Sequence, residues 1–199
     1  LRQQRAMRVV NATGVLIHTN LGRAPISTNI WDTVREGNCH YATVEYDVET
    51  GRRGQRNTLI SRLLGSLTHT EAGMVVNNNA AALYLLLSTY ARGKEVVVSR
   101  GELVQIGGGF RIPDILRESG ASLVEVGTTN IPTIQDYVEA CTDRTAMVLK
   151  VHRSNFVLRG YTDAPSTRDL STSLPAGVML AVDQGSGVMH NHIPGETGV

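Results

Sequence analysis

Short apolar runs alternate along much of the chain with segments whose apolar positions recur at helical spacing. "GMVV" stops at Val76, three asparagines follow, and "AAALYLLLSTY" comes next. This pattern predicts a strand ending at Val76 and a helix from about Ala80 to Tyr90. "KEVVVS" (Lys94 to Ser99) predicts a second strand, followed by a glycine-rich turn and a helix around "RIPDILRES". "SLVEV" (Ser122 to Val126) predicts a third strand, and "PTIQDYVEACT" a helix with Pro132 in its first turn. "TAMVLKVH" and "GVMLAVDQGSG" read as two further strands, with a short helix near "STRDLSTSL" between them. Strands that are apolar on both faces and separated by helices predict an α/β three-layer fold with a mostly parallel sheet. Residues 1–57 differ, with polar turns such as "LGRAP" and "TGRRGQR" and few clear elements. They are expected to form an N-terminal arm and functional loops on a main domain over 58–199.

Composition narrows the class. A chain of 199 residues with 41% hydrophobic and 19% charged content suits a globular domain with a sizeable core. A formal charge of +1 leaves no electrostatic footprint for nucleic acid or an acidic membrane. No apolar run is long enough to span a bilayer, and "LRQQRAMRVVNATG" lacks signal-peptide character, so a cytoplasmic protein is expected. Cys39 and Cys141 sit in no motif and read as reduced thiols. His190 and His192 lack a third ligand, so no metal is expected.

Chemistry gathers where the predicted strands end. Asn77, Asn78 and Asn79 follow one strand; Arg100, Gly101 and Glu102 follow the next. His152, Ser154 and Asn155 follow a third, and Asp183, Gln184, Gly185 and Ser186 a fourth. Ligands of open α/β sheets collect at these carboxyl ends. The N–H groups opening a helix at Asn78 to Ala80 form a ready phosphate site. Asp183 is either a loop or cap aspartate, or a carboxylate holding a protonated heterocyclic nitrogen, as with pyridoxal phosphate. "GRRGQR" is either a solvated charge run or a fork-shaped anion clamp. His152 either faces a bound ring or caps a turn. No GxGxxG fingerprint, Walker A pattern or GxSxG elbow occurs.

The ordered stretches "VVNATGVLIHTNLGRAP", "EYDVETGRRGQR", "VVNNNAAA", "VSRGELVQIGGGFRIPD", "GASLVEVGTTN", "LKVHRSNFVLRGYT" and "VDQGSG" closely resemble bacterial selenocysteine synthase, the L-seryl-tRNA(Sec) selenium transferase family. The resemblance runs almost end to end. It implies the large domain of a pyridoxal-phosphate enzyme of fold type I, incomplete here. It also implies conversion of seryl-tRNA(Sec) to selenocysteinyl-tRNA(Sec) with selenophosphate: β-elimination to an aminoacrylate, then selenium addition. By position, Asn78, Asn79 and Ala80 resemble the family's phosphate cradle and Asp183 its ring-nitrogen partner. Glu102, His152, Ser154 and Ser186 resemble cofactor-pocket neighbours, and Arg53 and Arg56 an anion clamp for the selenium donor. A homo-oligomer is implied as well.

Three departures accompany the resemblance. The family's Schiff-base lysine lies beyond the Asp183 strand in a motif like "SGDK", whereas this chain has only Lys94 and Lys150. The family's small N-terminal tRNA domain has no counterpart here. Gln55 and Arg153 stand where Ser and Thr are common, and no aromatic ring stacker is evident near Gly101 and Glu102. The fragment alone is therefore expected to be inactive. Two other readings stay open: a related enzyme acting on a small amino acid or amino sugar phosphate, and a non-catalytic homologue.

Overall fold

Ser27 precedes a segment in which Ile30, Trp31 and Val34 fall on one side of a helical spacing, and a helix forms there, α1 (Thr28–Cys39). Sparse apolar residues among polar ones hid it from the sequence pattern. Downstream, the Asp47 side chain accepts hydrogen bonds from the Glu49 and Thr50 backbone N–H groups (3.0 and 3.1 Å). This turn closes a small antiparallel hairpin of β1 (Tyr46–Asp47) and β2 (Arg52–Arg53). The Thr50 N–H above all holds the Asp47 carboxyl below its ordinary range. The computed structural model describes residues 7–106 and 108–186, so His190 and His192 lie outside the described residues. It divides into two units, Leu1–Leu63 and Leu64–Val199, with the boundary inside α2 (Thr58–Thr68). No described residue up to Leu63 is buried.

The second unit carries the core. α3 (Asn79–Tyr90) is rich in Ala and Leu, strong helix formers, and buries Leu83 and Leu87. β3 (Glu95–Ser99) follows, with Val96, Val97 and Val98 fully buried. Its branched side chains favour extended backbone, and their alternation demands cover on both faces. A short hairpin, β4 (Gln105–Ile106) and β5 (Phe110–Arg111), then leads to α4 (Ile112–Ser119). α4 ends on Gly120 in the left-handed conformation that glycine tolerates. β6 (Ser122–Val126), α5 (Ile134–Ala140), β7 (Thr145–Val151), α6 (Thr167–Ser173) and β8 (Met179–Asp183) complete the order. A capping box between Thr133 and Asp136 starts α5, so Pro132 precedes the cap instead of occupying the first turn.

The four long strands form one parallel sheet in the order β6-β3-β7-β8. One face packs Val96, Val98, Met147, Leu149, Val151 and Ala181 against Leu83 and Leu87 of α3 and Ile112 and Leu116 of α4. The other packs Val97 and Val148 against Tyr137 of α5 and Leu170 of α6. This is the α/β three-layer arrangement with a parallel sheet that the pattern predicted. The strand expected over "GMVV" does not form. Met74 and Val75 are exposed, and the run joins none of the sheets formed by the described residues, where an apolar strand would be buried.

Leu87 is fully buried in the core cluster, so in the full-length protein Leu87→Ala should lower the unfolding free energy by about 2–5 kcal/mol. Urea denaturation measures it; an unchanged midpoint would contradict the packing of α3 on the sheet.

Candidate active site

The site starts from the helix that three asparagines announce. Asn78 caps α3 with extended backbone, and its side-chain oxygen accepts from the Ala81 N–H at 2.9 Å. The next residue turns its side chain away from the helix: Asn79 Nδ2 donates to Asp183 Oδ1 at 2.7 Å. The same oxygen accepts the Gly185 N–H at 3.0 Å. Two donors thus fix one oxygen of Asp183, and among the described residues nothing donates to Oδ2. The Asn79 and Ala80 N–H groups, in the first turn of α3, likewise have no acceptor among the described residues. An acceptor oxygen and an anion-binding helix start therefore lie within the reach of one asparagine.

Register explains why they meet. Val151 pairs with Asp183 across β7 and β8, so Asp183 points to the same face as Val151 and Ala181, the face that α3 covers. At the strand ends, the His152 N–H donates to the Asp183 carbonyl at 2.9 Å and the Ser154 N–H to the His152 carbonyl at 3.0 Å. Gly185 has φ +57, and a Cβ built there would lie 3.2 Å from Ser154 Oγ. The turn after β8 therefore packs closely on the turn after β7. His152 Nδ1 is buried with no partner among the described residues. An imidazole nitrogen in that state is costly, and it belongs to the residue whose backbone N–H is bonded to the Asp183 carbonyl. Asn78, Asn79, Ala80, Asp183, His152 and Ser154 are thus gathered at one end of the sheet. Ser186 follows in the same turn and makes no hydrogen bond among the described residues.

Glu102 is placed differently. It is buried at 5% exposure and accepts from Lys150 Nζ at 3.2 Å through Oε1 and from the Val151 N–H at 2.9 Å through Oε2. Both oxygens are engaged within the chain, so the carboxylate ties the turn after β3 to the end of β7. That junction is where strand order reverses, the usual ligand crevice of such sheets, and Glu102 fills it. Burial, then the Glu102 charge, push the Tyr137 hydroxyl far above the ordinary phenol range. Lys150 pairs in register with Val182, on the sheet face opposite Asp183, and Lys94 precedes β3 at its amino end. Neither lysine stands beside Asp183.

In the first unit, Arg53 and Arg56 converge on Glu45. Glu45 Oε2 accepts from Arg53 Nη2 at 3.1 Å, and Glu45 Oε1 pairs with Arg56 Nη2. The hairpin turn signals at Asp47 and Gly51 would have found this contact. The Glu102–Lys150 pair, 48 residues apart, had no such local signal. Among the described residues no cluster of metal-ligating side chains occurs, and no helix is long and apolar enough to cross a membrane.

The family model for L-seryl-tRNA selenium transferase matches residues 9–194. The L-seryl-tRNA(Sec) selenium transferase of Geobacter metallireducens is 51% identical over 183 residues, covering 92% of this chain and 40% of that protein. The one from Nautilia profundicola is 49% identical over 164 residues, covering 82% of this chain and 37% of that protein. The chain therefore spans about two fifths of the length of these relatives. Among solved structures, a D-glucosaminate-6-phosphate ammonia-lyase superposes with a TM-score of 0.62 at 17% identity, over 81% of this chain and 45% of that one. This chain therefore shares its fold with part of that lyase.

Removing one member of a buried ion pair leaves the other charge stranded. Glu102→Ala should therefore destabilise the full-length protein by about 3–5 kcal/mol, while Glu102→Gln with Lys150→Met should recover most of the loss. Urea denaturation of the two variants decides this, and equal stabilities would contradict the pairing.

Proposed function

Because the chain belongs to the L-seryl-tRNA selenium transferase family, we propose that the full-length protein converts seryl-tRNA(Sec) to selenocysteinyl-tRNA(Sec), with selenophosphate as selenium donor and pyridoxal phosphate as cofactor. The observation that carries this reading is the contact between Asn79 and Asp183. It brings together a carboxylate oxygen and a helix start with N–H groups that, among the described residues, have no donor and no acceptor respectively. Those are the two ends that a phosphorylated pyridine requires. The buried Nδ1 of His152, without a partner among the described residues, and the close packing of Gly185 on Ser154 also suit a ligand seated over these strand ends.

Pyridoxal phosphate, when bound, supplies an electron sink for charge developing at the seryl Cα. The residues of this chain do the rest. The Asn79 and Ala80 N–H groups bind the phosphate, aided by the positive end of α3. Asp183 Oδ2 accepts the N–H of the ring nitrogen and keeps that proton in place, which preserves the sink. Asn79 and Gly185, by holding Oδ1, orient the carboxylate so that Oδ2 faces the ligand. Arg53 and Arg56 bind the phosphate-bearing donor. The lysine that carries the cofactor belongs to a part of the protein outside these 199 residues, since Lys150 is engaged by Glu102 and Lys94 lies at the other end of β3. Exposed Ile30, Trp31 and Val34 on α1 support assembly as a homo-oligomer, and we place the enzyme in the cytoplasm.

The test is selenophosphate-dependent formation of selenocysteinyl-tRNA(Sec) by the full-length protein. Asp183→Ala should lower turnover by about a hundredfold or more while the protein remains folded. Asn79→Ala should weaken cofactor binding and turnover more modestly, by about tenfold, the worth of one charge-assisted hydrogen bond. Near-normal turnover of Asp183→Ala would remove the basis for the reading.

A further inference from the structure

The hairpin around β1 and β2 has no buried residue, yet it is closely hydrogen-bonded. Its closure rests on the backbone and on Asp47: the Gly51 N–H donates to the Asp47 carbonyl and the Gly54 N–H to the Glu45 carbonyl, each at 2.9 Å. The Glu45 side chain is not needed for that closure. It is instead the point on which two guanidinium groups meet, with one carboxylate oxygen for each. The carboxylate is the more covered partner, its side chain being 30% exposed, against 83% for Arg53 and 67% for Arg56. Each guanidinium carries five N–H donors, and each spends an Nη2 on Glu45, so the outward donors stay open to solvent. The cluster is net positive and already shaped around an anion.

We propose that Glu45 is an internal competitor for the arginine clamp: its carboxylate occupies the anion subsite of Arg53 and Arg56 until a dianionic, phosphate-type donor displaces it. The inference rests on the proposed role of these arginines as the donor clamp. Charge supplies the selectivity. A carboxylate tethered eight residues from Arg53 competes at high local concentration, so a monoanion gains little by replacing it. A phosphate-type dianion carries twice the charge and more acceptor oxygens, and it can satisfy both forks at once. Glu45 thereby keeps the clamp ordered and guarded when no donor is present.

Inorganic thiophosphate is the probe, titrated calorimetrically into the full-length protein. Glu45→Gln preserves shape and one acceptor, and should tighten thiophosphate binding by about threefold to tenfold, the scale of two exposed ion pairs. Arg53→Ala or Arg56→Ala should weaken it, and Glu45→Gln should have no effect in the Arg53→Ala, Arg56→Ala double variant. Unchanged or weaker binding by Glu45→Gln, with the arginine variants still weakened, would overturn the competitor role and leave the clamp intact. Unchanged binding in the arginine variants would overturn the clamp itself. Tightening for seryl-tRNA(Sec) but not for thiophosphate would also overturn the proposal, because the subsite would then serve nucleic acid.

Discussion

A single side-chain amide joins the two halves of the candidate site. Asn79 opens α3, and its Nδ2 holds one oxygen of Asp183 at the end of β8, 104 residues away. Because the donor belongs to the residue whose backbone N–H also opens the helix, the anion site and the carboxylate cannot drift apart. A second donor, the Gly185 N–H, fixes the same oxygen. Two hydrogen bonds on one oxygen hold a carboxylate in a defined orientation without using its other oxygen. Preorganisation of this kind is how a site holds charge at little reorganisation cost.

The rest of the second unit supports that contact. Valine-rich β3 and β7 form a sheet interior that needs α3 on one face and α5 and α6 on the other. The register of β7 with β8 then sends Asp183 to the α3 side. Glu102 closes the neighbouring gap, with its charge answered by Lys150 and its second oxygen by the Val151 N–H. Lys150 and Val151 are the two residues before His152, so the end of β7 is held on both sides, by Glu102 and by the Asp183 carbonyl. Buried charge is expensive unless it is paired and hydrogen-bonded, and here it is both.

Much of this was legible from the residues because local rules and tertiary needs agree. Runs such as "EVVVS" can be little else than buried strands, and three asparagines ahead of an Ala- and Leu-rich segment mark a helix start. Asp183 stood out as a charge closing an apolar strand. "GMVV" was misleading because an apolar run states only a capacity to pair, and pairing requires a neighbour. α1 escaped notice because its few apolar residues are diluted by Thr, Asn, Asp and Arg. Glu102 looked like a site residue by its position after a strand, whereas Lys150 reads only as a lysine within a strand. Their mutual engagement depends on which strands become neighbours, which no local pattern encodes. Glu45 differs again: its part emerges only through the hairpin that folds it back on the arginines.

The protonation state of the cofactor's ring nitrogen tests the role of Asp183 most directly. Nitrogen-15 NMR of the full-length protein, loaded with pyridoxal phosphate labelled at that nitrogen, should give a protonated pyridinium resonance in the native protein. In Asp183→Ala, with cofactor still bound, the resonance should move to the unprotonated position. An unprotonated nitrogen in the native protein, or a proton retained equally in the variant, would contradict the account.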